Sequence, residues 1–182
     1  MSNRLSEKYK KEIAPSLMKE LDIKNVMCVP NISKVTVNAG VGEFRDSKEA
    51  MVAFKEELGQ ILGQTPNPRA SRKSISAFKL REGETVGMSA TLRGDIMWSF
   101  LDKLVNIVLP RVRDFRGVPI TAFDSQGNYS LGLADHTIFP EINPNKVKLG
   151  RGLQVNVVMT TNDRDKNLLL LEKLGFPFKK EG

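Results

Sequence analysis

Residues 86–93 read Val-Gly-Met-Ser-Ala-Thr-Leu-Arg, and apolar side chains alternate with small or polar ones along the whole stretch. Side chains of a strand point alternately to the two faces of a sheet, so this pattern predicts a strand with one buried and one open face. The same alternation recurs in Lys34–Asn38 and in residues 154–161. A fourth strand is predicted over Arg72–Arg81, joined to residues 86–93 by a hairpin with its tip at Glu82–Glu84.

The open face of this predicted sheet carries no acidic side chain. It consists of small hydrogen-bonding groups with basic residues at the margins and one aromatic ring, namely Lys34, Thr36, Asn38, Arg72, Ser74, Ser76, Phe78, Gly87, Ser89, Thr91, Arg93, Gln154 and Asn156. One interpretation is the solvated face that antiparallel sheets commonly have. The other is an RNA-binding surface, because proteins bind RNA through ribose and phosphate contacts, base edges and stacking on aromatic rings. The absence of acids favours the second interpretation.

Helices are predicted around these strands from apolar spacing and end signals. The first covers residues 3–22, with a kink or break at Pro15, and the second covers residues 48–62, between Ser47 and Gly63. The third covers residues 96–109 and is ended by Pro110. The last is capped by Asn162 or Asp163, continues to Leu174 and is stopped by Gly175. Residues 64–71 have loop composition, and residues 110–153 show little periodicity. The sequence therefore predicts a single α+β domain over residues 1–182, with an antiparallel sheet that packs helices on one face.

The charge balance favours a polyanionic partner. The chain has 28 Lys and Arg against 21 Asp and Glu, which gives a net charge of +7. Basic side chains fall in three groups: Arg69, Arg72, Lys73, Lys79 and Arg81 in an acid-free stretch; Arg111, Arg113 and Arg116; and Lys146, Lys148 and Arg151. Basic groups that neutralise phosphates release counterions, so the pattern predicts salt-dependent binding to nucleic acid.

Enzyme chemistry finds little support in the residues. One cysteine, Cys28, and one histidine, His136, exclude an internal disulfide and most zinc sites. No catalytic residue, metal ligand or cofactor is predicted, and His136 is expected at a surface or an interface. The turn Gly40-Val41-Gly42 resembles the start of a dinucleotide fingerprint, but Arg45 stands where the third glycine is needed. A nucleotide-handling enzyme remains the alternative.

The expected location is the cytoplasm, without a membrane contact. The amino-terminal residues contain no apolar stretch of the kind found in secretory signals, and no apolar run approaches the roughly 20 residues that span a bilayer. A single cysteine also fits a reducing compartment.

Five stretches together resemble a known protein family. They are VMCVPNISKVTVNAGVGE at 26–43, GQTPNPRASRKSISAFKLREGETVGMSATLRG at 63–94, MWSFLDKLVNIVLPRVRDFRG at 97–117, GNYSLGLADHTIFPEI at 127–142 and FPF at 176–178. In order and over nearly the whole chain, they resemble the family of bacterial large-subunit ribosomal proteins number five, which bind 5S ribosomal RNA. The resemblance implies an antiparallel sheet with helices on its convex side and a concave face free for RNA.

The resemblance also implies a role and a set of partners. A member of this family is a structural constituent of the large ribosomal subunit in the cytoplasm and has no small-molecule substrate. It carries 5S RNA into the central protuberance and docks it on the large ribosomal RNA. It contacts the P-site transfer RNA through an extended loop, touches neighbouring large-subunit proteins, and bridges to a protein of the small-subunit head.

Site residues follow from the same resemblance. The family's RNA-recognition positions fall here on Asn38, Gln64, Phe78 and Thr91, with Arg72, Lys73 and Arg93 as phosphate contacts. The loop that contacts transfer RNA would be the hairpin at residues 79–84, with Lys79, Arg81 and Gly83. The bridge to the small subunit would use residues 110–150.

Overall fold

A five-stranded antiparallel sheet is the central feature of the computed structural model, which describes residues 3–44, 47–144, 147 and 150–179. Its strand order is β2-β3-β1-β5-β4. The strands are β1 (Ile32–Gly40), β2 (Asn67–Ala70), β3 (Thr85–Leu92), β4 (Tyr129–Leu133) and β5 (Leu153–Met159). Together with the helices, this confirms the predicted α+β class with an antiparallel sheet.

Alternate residues of β1, β3 and β5 are buried, as the sequence pattern predicts, and β4, which that pattern did not indicate, shows the same alternation. The buried set is Val35, Val37 and Ala39 on β1, Met88, Ala90 and Leu92 on β3, Tyr129, Leu131 and Leu133 on β4, and Leu153, Val155, Val157 and Met159 on β5. The sheet therefore has one apolar face in the core. The intervening residues, such as Asn38, Thr91 and Gln154, are exposed on the other face.

The predicted strand at Arg72–Arg81 is wrong. The partner of β3 is instead β2, Asn67–Ala70, in the segment predicted to be a loop, and the pairing is antiparallel with Arg69 opposite Gly87. Pro68 obscures this strand in the sequence because proline cannot donate a ladder hydrogen bond. Since β2 lies at the edge of the sheet, one side of the strand needs no ladder partner and the proline is tolerated there.

The helices are α1 (Arg4–Lys8), α2 (Ala14–Glu20), α3 (Lys48–Leu62), α4 (Gly94–Lys103), α5 (Leu109–Arg111) and α6 (Arg164–Leu174). The predicted ends of α3 and α6 are confirmed. The Ser47 hydroxyl accepts from the Ala50 N–H, and Asp163 accepts from the first turn of α6. Gly63 and Gly175 stop the two helices with φ angles of +67° and +95°, a conformation that suits glycine.

Two prolines are accommodated by π-helical turns. Tyr9–Ile13 joins α1 to α2 just before Pro15, and Leu104–Val108 joins α4 to α5 just before Pro110. A π turn widens the helix by one residue, which removes the clash between a proline ring and the carbonyl four residues earlier. The first helical run therefore passes Pro15 with an irregularity in place of a break. The prediction that Pro110 ends its helix is wrong, because helical structure continues to Arg111.

Residues 110–153 are largely irregular, as predicted, but they contain β4, which the sequence pattern did not indicate. Short 3₁₀ turns occur at Ile120–Ala122 and His136–Ile138. Lys146 and Lys148 of the third basic group lie outside the described residues. Among the residues that the structure describes, no helix combines the length and apolarity that a membrane span requires.

Packing divides the chain into two compact units. The first comprises Met1–Val35, Arg93–Leu131 and Asn156–Gly182, and the second comprises Thr36–Leu92 and Gly132–Val155. In the first unit, the Tyr9 and Trp98 rings lie 5.5 Å apart in the helical core. In the second, α3 buries Phe54, Leu58 and Ile61 and contacts β3. That residues 1–182 form a single domain stays a prediction.

Both tyrosines of the chain are buried in the first unit. The Tyr9 hydroxyl donates to the Pro30 carbonyl at 2.8 Å, and the Tyr129 hydroxyl donates to the Pro119 carbonyl at 3.0 Å. Burial raises the pKa of each phenol to about 12, because the charged phenolate would lose its hydration.

We therefore expect the native protein to show no tyrosinate absorbance step near pH 10, where the chain unfolded in guanidinium should show one. Because the native state holds both phenol protons more tightly, this contribution to stability is complete below pH 10 and is lost as the pH rises towards 12. Spectrophotometric titration of the protein and of the Tyr9→Phe and Tyr129→Phe variants measures each phenol. A native step near pH 10 in either variant would contradict the burial of the remaining tyrosine.

Candidate RNA interface

The open side of β1 and β3 in the second unit presents polar side chains that no other part of the described chain engages. Asn38 and Thr91 are both exposed, and within the described residues neither side chain forms a hydrogen bond. They lie opposite the buried Val37 and Leu92, so packing of the apolar face holds the polar groups outward. The position of both residues on the predicted open face is confirmed.

A compact excursion of the chain separates β2 from β3, and we call it the basic loop (Ser71–Glu84). Its ends are joined by two backbone hydrogen bonds, from the Ser71 N–H to the Glu84 carbonyl at 2.8 Å and from the Gly83 N–H to the Ser71 carbonyl at 3.0 Å. Further out, Ile75 and Leu80 pair through reciprocal backbone bonds of 2.9 and 3.1 Å. The loop is thus held by its own hydrogen bonds while most of its side chains remain exposed.

The basic loop corrects the predicted placement of Phe78. This residue belongs to a 3₁₀ turn, Ser76–Phe78, at the far end of the loop, so it is not on a strand of the sheet. Its ring is 68% exposed, and exposed aromatic rings are the groups on which bases stack. Periodicity in residues 72–81 suggested a strand because the loop contains Ser, Ile and Phe, residues common in exposed strands.

The predicted hairpin tip is also wrong. Gly83 lies at the base of the loop, where it bonds Ser71, and its φ of +87° explains the glycine. The tip is formed by Ser76–Lys79, and Lys79 itself has a left-handed backbone with φ of +49°. Of the three residues predicted for the transfer RNA contact, only Lys79 therefore lies at the tip, while Arg81 lies on the returning limb.

The remaining predicted site residues are all exposed. Gln64 is exposed directly after the glycine that ends α3, and Arg72 and Lys73 are exposed where the basic loop begins. Arg93 is exposed and follows β3, at the residue that caps α4 in the first unit. No ion pair within the described residues neutralises these basic side chains or those of Lys79 and Arg81, so their charges remain available to phosphates.

Arg69 is a basic residue on the interface to which the sequence patterns assigned no separate role. It lies on β2 opposite Gly87, and its Nε–H donates to the Ser89 hydroxyl at 2.6 Å. Ser89 is buried, although alternation places it on the open face. The register of β2 places Arg69 on the interface. The sequence pattern did not show this register, because Pro68 made the segment look like a loop.

The histidine is a buried structural residue, so its predicted place at a surface or an interface is wrong. His136 is fully buried, and its ring meets Phe54 edge-on at 5.2 Å. Its Nδ1 accepts from the Arg151 backbone N–H at 3.0 Å, which leaves Nε2 to face a Glu57 carboxylate oxygen at 3.2 Å. These bonds tie the segment around His136 to α3.

The carboxylate next to this histidine is also structural. Burial alone would raise the pKa of Asp135, but hydrogen bonds from the Thr137 N–H and hydroxyl outweigh that effect and lower it. The same carboxylate packs against Gly150, where a Cβ atom would lie 2.6 Å from one of its oxygens. Nowhere in the described parts of the chain do three or more His, Cys, Asp or Glu residues converge as a metal site would require.

Comparison with known proteins gives matches over almost the whole chain. Residues 25–81 match the family described as ribosomal protein L5, and residues 85–178 match the family described as the ribosomal L5P family C-terminus. A Roseiflexus sp. (strain RS-1) protein named large ribosomal subunit protein uL5 is 49% identical over 179 residues, which cover 98% of this chain and 99% of that protein. Proteins of the same name from Mesoplasma florum and Streptococcus pneumoniae are each 47% identical over 180 residues, covering 99% of this chain and all of each relative.

Two phenylalanines of the second unit allow the exposure of Phe78 to be tested through the free energy of unfolding. Phe78→Ala should change the free energy of unfolding by no more than about 0.5 kcal/mol, because the ring is largely exposed. Phe54→Ala removes a ring that is 2% exposed and should cost about 3–5 kcal/mol. Denaturant unfolding of both variants measures the difference. A large loss in Phe78→Ala would show that this ring belongs to the core and not to a binding surface.

Proposed function

Because the chain belongs to the ribosomal protein L5 family, we propose that it binds 5S ribosomal RNA through the open face of β1 and β3 and the basic loop. Members of this family are structural, non-catalytic components of the large ribosomal subunit. Membership in this family assigns the protein to translation in the cytoplasmic ribosome. It also removes the nucleotide-handling enzyme as an alternative. The observation that carries the proposal is the exposed and unengaged pair of Asn38 and Thr91 on an acid-free sheet face.

The chemistry of this surface suits single-stranded, unstacked nucleotides. The carboxamide of Asn38 can donate to and accept from a base edge, and the Thr91 hydroxyl can bond a base or a ribose 2′-hydroxyl. The exposed Phe78 ring offers a platform for one base, and Gln64 offers a second carboxamide. These groups can discriminate between sequences, whereas Arg72, Lys73 and Arg93 would hold phosphates and set the position of the RNA.

The protein's further partners in the subunit extend the same proposal. Once bound, the 5S RNA would be docked on the large ribosomal RNA in the central protuberance, next to neighbouring large-subunit proteins. Residues 110–150 are proposed for the bridge to a protein of the small-subunit head. Within this segment the side chains of Arg111, Arg113 and Arg116 are exposed, and their positive charge suits an intersubunit surface in a particle rich in RNA.

The tip of the basic loop is proposed to contact the P-site transfer RNA. Ser76–Lys79 is the part of the loop farthest along the chain from the strands that carry it, and it ends in an unpaired cation. The hydrogen bonds at the base of the loop make it a fixed projection, so little ordering entropy would be lost when it meets a partner.

The decisive experiment compares binding of the purified protein to 5S RNA and to an unrelated RNA of equal length over a salt series. We expect a preference of about 10³-fold or more for 5S RNA at physiological salt, the range of specific recognition. Asn38→Ala and Thr91→Ala should each weaken 5S binding by about 1–3 kcal/mol, or roughly 5- to 150-fold, because their partners lose a hydrogen bond in a desolvated contact.

A matched control is Gln60→Ala, which removes an exposed polar side chain from α3. It should leave binding unchanged, and all three variants should unfold like the parent protein. Equal and steeply salt-dependent binding to both RNAs would mean that the affinity comes only from the net charge of +7, and the proposal would fail.

The proposed transfer RNA contact predicts a separate effect of Lys79→Ala. Ribosomes that contain this variant should release P-site transfer RNA a few-fold faster, while the free variant binds 5S RNA like the parent protein. The release rate is measured with labelled transfer RNA after dilution. An unchanged release rate would remove the loop tip from the list of transfer RNA contacts.

A further inference from the structure

We propose that Arg69 is an additional RNA-binding residue, which holds a backbone phosphate beside the nucleotide that Asn38 reads, with its guanidinium oriented by Ser89. This inference rests on the proposed RNA-binding function and adds a ligand group, a phosphate, to one edge of that site.

The strand register places Arg69 on the binding face. Arg69 pairs directly with Gly87, and residues opposite each other in an antiparallel pair point to the same side of the sheet. Gly87 alternates with Ser89 and Thr91 on the open face of β3. Arg69 therefore lies on the same surface as Thr91, although its strand was expected to be a loop.

The guanidinium of Arg69 is held in one orientation. Its Nε–H donates to the Ser89 hydroxyl at 2.6 Å, and within the described residues it has no further hydrogen bond or ion pair. A guanidinium is a planar group with five N–H donors, so a bond at Nε leaves the two terminal nitrogens free to form a fork for one anion. Because Ser89 already fixes the plane of this fork, less side-chain entropy is lost when a phosphate binds.

Gly87 lies between Arg69 and Asn38 on the sheet. A Cβ atom built on Gly87 would lie 3.9 Å from the Arg69 Cβ, 3.9 Å from the Asn38 Oδ1 and 3.3 Å from the Ala39 carbonyl oxygen. The two polar side chains therefore flank one position at which the sheet has no side chain of its own. Because no side chain of Gly87 separates them, one RNA segment that lies on this face can contact both Arg69 and Asn38.

A phosphate is the group that Arg69 suits best. The chain leaves β2 one residue later and enters the basic loop, where Arg72 and Lys73 are exposed and are proposed to contact phosphates. Arg69 thus begins a continuous run of cations that an RNA backbone can follow from the edge of the sheet towards the loop. Asn38, on the other side of Gly87, is the neutral group suited to a base edge.

The test measures affinity for 5S RNA over a salt series for the parent protein and for Arg69→Ala, Arg69→Lys and Ser89→Ala. Arg69→Ala should weaken binding about 5- to 30-fold at physiological salt and lower the slope of log K against log salt by about one unit, because one phosphate loses its cation. Arg69→Lys should keep the parent slope but bind several-fold more weakly, since an ammonium lacks the fork. Ser89→Ala should also keep the slope and weaken binding two- to five-fold, because the charge remains while its orientation is lost.

Two charge-matched variants calibrate the measurement. Lys73→Ala, at a proposed phosphate contact, should lower the slope by a similar amount, and Lys48→Ala, an exposed lysine of α3, should change neither slope nor affinity. Unfolding midpoints of all variants are measured in parallel, and Arg69→Lys keeps most of the side chain in place should Arg69→Ala prove unstable.

The outcomes separate this inference from the function on which it rests. If the parent protein shows no preference for 5S RNA, the proposed function itself fails. If the preference is present but Arg69→Ala binds with the parent affinity and slope, Arg69 is a solvated side chain and the inference is overturned. Weaker binding by Arg69→Ala with an unchanged slope would also overturn it, because the arginine would then act without neutralising a phosphate.

Discussion

Burial of one face of the sheet is the constraint on which the candidate interface depends. Val37 of β1 and Leu92 of β3 lie in the core, and because strand side chains alternate, their neighbours Asn38 and Thr91 must face outward. A shift of the register by one residue would bury these polar groups and expose the valine and leucine, at a large cost in free energy. The hydrophobic core therefore determines where the binding groups stand, even though it takes no part in binding.

The edge of the sheet is where the protein departs from simple alternation. An edge strand with a proline leaves part of its backbone without a ladder partner, which makes β2 short and hides it in the sequence. The same edge carries the basic loop and Arg69, so the least regular part of the sheet holds most of its unpaired positive charge. The exposed edge strand of a sheet can pair with a strand of another chain, and positive charges on and next to β2 oppose such pairing. The same charges attract RNA.

The two kinds of polar residue in this structure serve different purposes. The buried His136 uses both ring nitrogens in contacts with groups of the same unit, which holds the chain in place. Asn38 and Arg72, which are assigned to RNA, have no such bonds within the described residues. A protein whose function is binding needs this separation, because a side chain whose donors and acceptors are all used inside the fold has none left for a ligand.

The sequence by itself determined the features that depend on neighbours along the chain. Alternation identified the open faces of β1 and β3, including Asn38 and Thr91. End signals located both ends of α3 and the carboxyl-terminal end of α6, and narrowed the cap of α6 to Asn162 or Asp163, because caps and periodicity are local. Only the tertiary structure decided which segment pairs with β3, since pairing joins residues far apart in sequence and Pro68 concealed the true partner. For the same reason only the fold could show that Phe78 stands on a projecting loop, that His136 is buried, and that Ser89 bonds Arg69 on the same face as Asn38.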